Sequence, residues 1–162
     1  MTGALHVIAG KIAAGKSTLA NKLGVETGGL VVSEDFWMVT LHPQRIISID
    51  DYRRESERLR DALAPMLVDL LGRGITLVLD FPANTVASRT WMRGIADAAG
   101  ITATLHFLDP PDDVCLARLH ARNAAGTHEY APTDEDFALF TSYFVPPTEA
   151  EGFTIVRYDQ AA

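Results

Sequence analysis

The chain has 162 residues, 48% of them hydrophobic and 22% charged, with a formal net charge of −7. That balance fits about one soluble globular domain with a real core. It disfavours nucleic acid as a partner, which needs clustered positive charge, but leaves room for one basic pocket holding a phosphorylated or acidic small molecule.

The first residues (M-T-G-A-L-H-V) enter a strand without a basic and then apolar leader, and no apolar run approaches the roughly 20 residues of a membrane span, so the expected location is cytoplasmic. Ala4–Ala9 reads as a short buried strand. Gly10-Lys11-Ile12-Ala13-Ala14-Gly15-Lys16-Ser17 then spells G-x-x-x-x-G-K-S, and a helix begins at Ser17. Strand, glycine loop and helix are the three parts of a phosphate-binding loop. Its glycines allow a tight turn, so that the N–H groups of Gly10, Ala13, Ala14 and Gly15 converge on phosphate oxygens. The helix start adds unpaired N–H groups and the positive end of a dipole. Lys16 reaches the β- and γ-phosphates in such a loop, the Ser17 hydroxyl holds Mg²⁺, and Thr18 can bond an α-phosphate oxygen. The chain has only three lysines, and Lys11 and Lys16 both lie here. Lysine is thus kept for a point-charge role that arginine fills poorly.

Leu30–Ser33 is a second strand, ending at Glu34-Asp35, and Phe36–Ile47 reads as irregular, with a turn at His42-Pro43. Ser48 looks like an N-cap. Tyr52, Ser56, Leu59, Leu63, Met66 and Leu70 recur at helical spacing as a buried stripe, which Pro65 is expected to kink or split into two helices. Ile75–Leu79 is a strand ending at Asp80. Thr85–Ala99 is a helix closed by Gly100, and Thr102–Leu108 a strand ending at Asp109. A helix runs from Pro110-Pro111 to about Asn123, followed by a polar loop over 124–132. Thr133 caps a helix to about Phe144, and Phe153–Tyr158 is the last strand. Strands alternating with helices imply a parallel sheet covered on both faces, and phosphate ligands bind at the carboxyl ends of such strands. A single cysteine, Cys115, excludes an intramolecular disulfide and argues against a cysteine-based metal site.

That rule singles out the acids at the strand ends. Asp35 could accept or hold the proton of a substrate hydroxyl, or ligate Mg²⁺ through water; Glu34 is the weaker candidate. Asp80, closing Leu77-Val78-Leu79-Asp80, could orient the water shell of Mg²⁺. Arg118 and Arg122, one helical turn apart, present two guanidinium forks to a transferring phosphoryl group or a purine. Arg53, Arg54, Arg58 and Arg60 are interleaved with acids and suit a solvated helix face, although Arg53 or Arg54 could turn toward substrate. Arg89, Arg93 and His128 are weaker substrate contacts. The histidines show no metal-ligand spacing.

Six motifs follow one another through the whole chain: A-G-K-I-A-A-G-K-S-T-L-A (Ala9–Ala20), S-E-D (Ser33–Asp35), L-V-L-D-F-P-A-N-T (Leu77–Thr85), L-D-P-P (Leu108–Pro111), R-L-H-A-R-N (Arg118–Asn123) and S-Y-F-V-P-P (Ser142–Pro147). In these the sequence resembles the small P-loop kinases, among them gluconate kinase, chloramphenicol phosphotransferase, adenylate and shikimate kinases and the kinase domain of polynucleotide kinase. It is most similar to the zeta-toxin and gluconate-kinase-like type. The resemblance implies a three-layer α/β fold: a five-stranded parallel sheet in order 2-3-1-4-5, helices on both faces, and a small lid at about 123–132. It also implies that Arg118 packs on adenine, Arg122 contacts phosphate, Asp35 binds or deprotonates the acceptor and Pro146-Pro147 flanks the adenine. Ala83-Asn84 stands where nucleoside monophosphate kinases have an arginine, and His128-Glu129-Tyr130 departs from the gluconate kinase lid motif.

The expected activity is transfer of the γ-phosphate of ATP, with Mg²⁺, to a hydroxyl of a small molecule such as a sugar acid or antibiotic. A nucleotide or polynucleotide 5′-kinase is the alternative within the fold, and a nucleotide-binding regulatory ATPase without an acceptor is the alternative of another class.

Overall fold

The computed structural model of the protein describes residues 1–44, 48–126 and 131–159. In chain order the elements are β1 (Leu5–Gly10), α1 (Lys16–Thr27), β2 (Leu30–Ser33), α2 (Glu34–Leu41), α3 (Ile49–Gly72), β3 (Leu77–Asp80), α4 (Val86–Ala99), β4 (Thr104–Leu108), α5 (Asp112–Ala125), α6 (Asp134–Ser142), a 3₁₀ turn (Glu149–Glu151) and β5 (Thr154–Tyr158). The five strands form one sheet in the order β2-β3-β1-β4-β5, as expected. Every neighbouring pair is parallel. Two apolar clusters cover its faces. Val7, Leu77, Leu79 and Leu105 meet Leu63, Leu67 and Leu71 of α3 and Met92 and Ile95 of α4. Ile8, Val78 and Leu108 meet Leu19 and Leu23 of α1, Cys115 and Leu119 of α5 and Phe137 of α6. This two-sided burial explains the continuous apolar runs of the central strands.

Three expectations are corrected. Phe36–Leu41 is not irregular but part of α2. The Ser33 side chain caps it by accepting from the Phe36 N–H at 3.3 Å, and Glu34 and Asp35 fill its first turn. Of the two outcomes expected at Pro65, a split into two helices does not occur: α3 runs unbroken from Ile49 to Gly72. Pro65 and Asp61, whose carbonyl loses its i+4 donor, both face solvent, where water can satisfy that oxygen. Beyond Leu63 the buried positions are Leu67 and Leu71, at strict four-residue spacing, and Met66 is 45% exposed. Finally, α5 continues to Ala125, so residues 124 and 125 of the expected polar loop are helical. His128, Glu129 and Tyr130 lie outside the described residues.

A polar chain crosses three strands on the α1/α5 face. His6 Nδ1 lies 3.0 Å from His106 Nε2, and His106 Nδ1 lies 2.9 Å from the Tyr158 hydroxyl. Burial, and then the neighbouring His6, push the His106 pKa down to about 4; burial also lowers that of His6. The folded state therefore binds fewer protons than the unfolded chain below the ordinary histidine pKa of about 6.5. Stability from His106 is complete above about pH 6.5 and falls away toward pH 4, by roughly 3 kcal/mol over the window. Urea unfolding at pH 7.5 and 4.5 should show a steeper loss in wild type than in His106→Gln. Parallel slopes would remove His106 as the cause.

Candidate active site

The loop between β1 and α1 is shaped by its small residues. Ala13 (φ 61°) and Gly15 (φ 100°) both take positive φ, which turns successive N–H groups inward as an anion nest. A Cβ on Gly10 would stand 3.0 Å from the Leu108 carbonyl oxygen and 3.2 Å from the Ala14 Cβ, so a side chain there would have to push Leu108 or Ala14 aside by a few tenths of an ångström, and glycine lets the loop leave β1 close against β4 without that shift. Gly15 caps α1 without a side-chain hydrogen bond, so no cap consumes the first-turn N–H groups. Lys16 folds back over the loop, its ammonium donating to the Gly10 and Lys11 carbonyls at 2.8 and 2.9 Å.

Acids from two further strand ends and an arginine from α5 act on the same ammonium. Burial lowers the Lys16 pKa to about 8; Asp80 and Asp35 oppose that shift and Arg122 adds to it. The Ser17 hydroxyl donates to Asp80 Oδ2 at 2.8 Å. Burial raises the Asp80 pKa, the Ser17 bond holds it down, the negative Asp35 raises it and Lys16 lowers it. Asp35 is exposed on the first turn of α2. On α5, Arg118 and Arg122 are half-buried, and Arg122 Nε is enclosed without a hydrogen-bond partner. A buried orphan donor beside a cluster of phosphate-binding type fits an anionic ligand. Pro146 is exposed beyond α6, and Thr18 is exposed on the first turn of α1. Ser17 and Asp80 are oxygen donors suited to Mg²⁺. Among the described residues no group of three or more His, Cys, Asp or Glu side chains could hold a metal by itself.

The weaker candidates separate from this cluster. Glu34 is 0% exposed, closed in by the Tyr52 hydroxyl, by Ser56 at 3.1 Å and by Arg60 at 3.4 Å, so it is out of reach of an acceptor. Arg60 is not on a solvated face. It also donates to the Pro82 carbonyl and lies over the Trp91 ring, 5.4 Å from its centroid. Arg89, wholly buried, binds Glu151 at 2.6 Å and the Ala83 carbonyl at 2.8 Å. Arg93 binds Asp97 and the Glu151 carbonyl. These two arginines anchor the 3₁₀ turn and are not placed for substrate. Arg54 pairs with Asp51 and Glu55, and Arg53 is exposed. A cavity of about 240 Å³ beside β2, lined by Leu30, Phe36, Trp37 and Met66 among others, includes no residue of the loop.

Sequence reasoning missed Asn84, whose side chain reaches the loop at Gly10. It also missed the Glu34–Arg60 pair, for which the signal was an acid at the end of β2 and an arginine set among apolar positions of α3.

A glycine loop between a strand and a helix, in a five-stranded parallel sheet of order 2-3-1-4-5, defines the P-loop kinase fold. Residues 5–147 match the AAA domain model AAA_33, and the chain belongs to that family of P-loop kinases. Solved structures share the fold. A kinase candidate from Chloroflexus aurantiacus J-10-fl superposes with a TM-score of 0.75 at 23% identity, covering 98% of this chain and 85% of that one. A gluconokinase from Sinorhizobium meliloti 1021 gives 0.64 at 17% identity, covering 99% and 84%. The APS kinase CysC of Mycobacterium tuberculosis, in complex with AMPPNP and APS, gives 0.55 at 26% identity, covering 78% and 76%. No curated protein matches the chain. Among the described residues no helix is long and apolar enough to cross a membrane.

Proposed function

We propose that the protein is an ATP- and Mg²⁺-dependent phosphotransferase whose acceptor is a hydroxyl of a small molecule. The observation that carries this reading is the meeting of Lys16, the Ser17–Asp80 pair, Asp35 and Arg122 around one glycine loop. The Gly10 and Ala14 N–H groups, expected on phosphate, donate instead to Asn84 Oδ1 and the Lys11 carbonyl; the other loop N–H groups and the start of α1 bind the polyphosphate. Lys16, Arg118 and Arg122 stabilise charge spread over the transferring phosphoryl oxygens. Ser17 and Asp80 would hold Mg²⁺, Asp80 through water; bound there, the ion neutralises charge on the β- and γ-phosphates. Asp35 orients the acceptor hydroxyl and takes its proton as that oxygen bonds to the γ-phosphorus and the bond to the ADP oxygen breaks. Pro146 flanks the base. The kinase neighbours on gluconate and APS support a small acceptor, and the net charge of −7 weighs against a polynucleotide.

The test is an acceptor screen that reads ATP-to-ADP conversion together with the phosphorylated product, over sugar acids, sugars, nucleosides and aminoglycoside- or chloramphenicol-type alcohols. On an acceptor that is turned over, Asp35→Asn should lower kcat by about 10²-fold or more with ATP affinity unchanged. An Asp35→Asn enzyme as fast as wild type would remove Asp35 from the reaction. ATP hydrolysis insensitive to every acceptor would favour the regulatory ATPase.

A further inference from the structure

β1 outruns its neighbour β3. Their pairing ends at Val7↔Leu79, and β3 stops at Asp80, before the chain turns through Phe81-Pro82-Ala83. The N–H of Gly10, the last residue of β1, would have no strand carbonyl to meet on that side. The Asn84 side chain takes its place, accepting from Gly10 N at 3.3 Å through Oδ1. The main-chain carbonyl of Asn84 accepts from Val145 N at 2.8 Å. One residue thus ties the first residue of the phosphate-binding loop to the segment that runs directly into Pro146-Pro147. A second connection joins the same two parts. The Lys11 ammonium lies 5.9 Å from the centroid of the Phe144 ring while it pairs with Asp112, and Phe144 packs on Phe107 of β4 at 5.8 Å.

We propose that Asn84 is a positioning residue that sets the phosphate loop at a fixed distance from the 145–147 segment, so that the base and the triphosphate of a nucleotide are gripped as one unit. This rests on the reading that the loop takes the phosphates and Pro146 flanks the base. Two subsites held at the spacing of one ligand give binding that exceeds the phosphate part alone, because neither half reorders when the other is filled. Without the Asn84 side chain the loop loses its anchor at Gly10 while the contact to Val145 remains, and the two halves move independently. The effect therefore falls on the ratio of two affinities and not on fold stability as such.

The experiment is titration calorimetry of the full chain with Mg²⁺·AMPPNP and with Mg²⁺·tripolyphosphate, on wild type, Asn84→Ala, Asn84→Leu and Asn84→Asp. Leucine keeps the branched shape of asparagine without the acceptor oxygen; aspartate keeps the acceptor. Wild type should bind AMPPNP more tightly than tripolyphosphate. Losing one hydrogen bond should cut that advantage about fivefold or more in Asn84→Ala and Asn84→Leu, and Asn84→Asp should keep it, since its added charge acts on both anions alike. A wild-type protein that binds neither anion overturns both the functional reading and this inference. Equal wild-type affinities for the two ligands, or an unchanged advantage in whichever of Asn84→Ala and Asn84→Leu folds, overturn the inference and leave the phosphate loop standing.

Discussion

Lys16→Ala should lower phosphate transfer by about 10³-fold while the protein still folds. The ammonium is half-buried and lodged on two loop carbonyls at 2.8 and 2.9 Å, and in the proposed reaction it meets the charge that develops on the γ-phosphoryl oxygens. A preorganised cation in a partly desolvated site is worth more than the same cation in water, and its removal acts mainly on the transition state. Alanine takes a positive neighbour away from Asp80, but the Ser17 hydroxyl still donates to that carboxylate at 2.8 Å, and the loop keeps its turn through the Ala14 N–H to Lys11 carbonyl bond at 3.1 Å. The melting temperature should therefore stay within a few degrees of wild type. Initial-rate kinetics on the acceptor found by the screen, with calorimetry for Mg²⁺·ATP, give both numbers. A Lys16→Ala protein that transfers phosphate at the wild-type rate would refute the site.

The largest effect on stability should come from Glu34→Gln. The Glu34 carboxylate is enclosed, and its partners Tyr52, Ser56 and Arg60 all come from α3. Burial, and then the charge of Glu34, raise the Tyr52 pKa well above its ordinary value, so the phenol stays protonated and donates. Glutamine keeps the shape but leaves the Arg60 guanidinium, whose Nε is already a buried orphan, without its counter-charge. Removing one partner of a buried pair costs about 3–5 kcal/mol, whereas replacing both with apolar groups can be nearly neutral. Urea unfolding should show that loss for Glu34→Gln and recover most of it in Glu34→Leu/Arg60→Met. A loss under about 1 kcal/mol for the single variant would mean that the pair is solvated and the network is not what joins α2 to α3.

Local pattern carried most of the fold. The apolar runs, Gly100 and the caps Ser48 and Thr133 mark elements that lie within a few residues of their expected bounds. The strand order came from the resemblance, because a parallel sheet of five strands has several topologies that periodicity does not separate. α2 went unread because its aromatic and β-branched residues have low helix propensity, although Ser33 followed by Glu34 and Asp35 was a capping signal in plain view. Pro65 was overrated because its cost depends on whether the freed carbonyl faces water. In the site, the residues of the loop were legible because their chemistry is contiguous in the chain. Asn84 and Arg60 were not, because each acts across more than twenty residues of sequence and has meaning only once β3 and α3 are placed.

Cys115, the chain's one thiol, is sealed between α5 and the sheet, and burial raises its pKa. A cysteine introduced at a solvent-facing position therefore gives a single-site fluorophore attachment without first removing the native one. Ala121, exposed one residue before Arg122, is such a position, and a dye on Ala121→Cys would report nucleotide arrival in real time from a background that does not react.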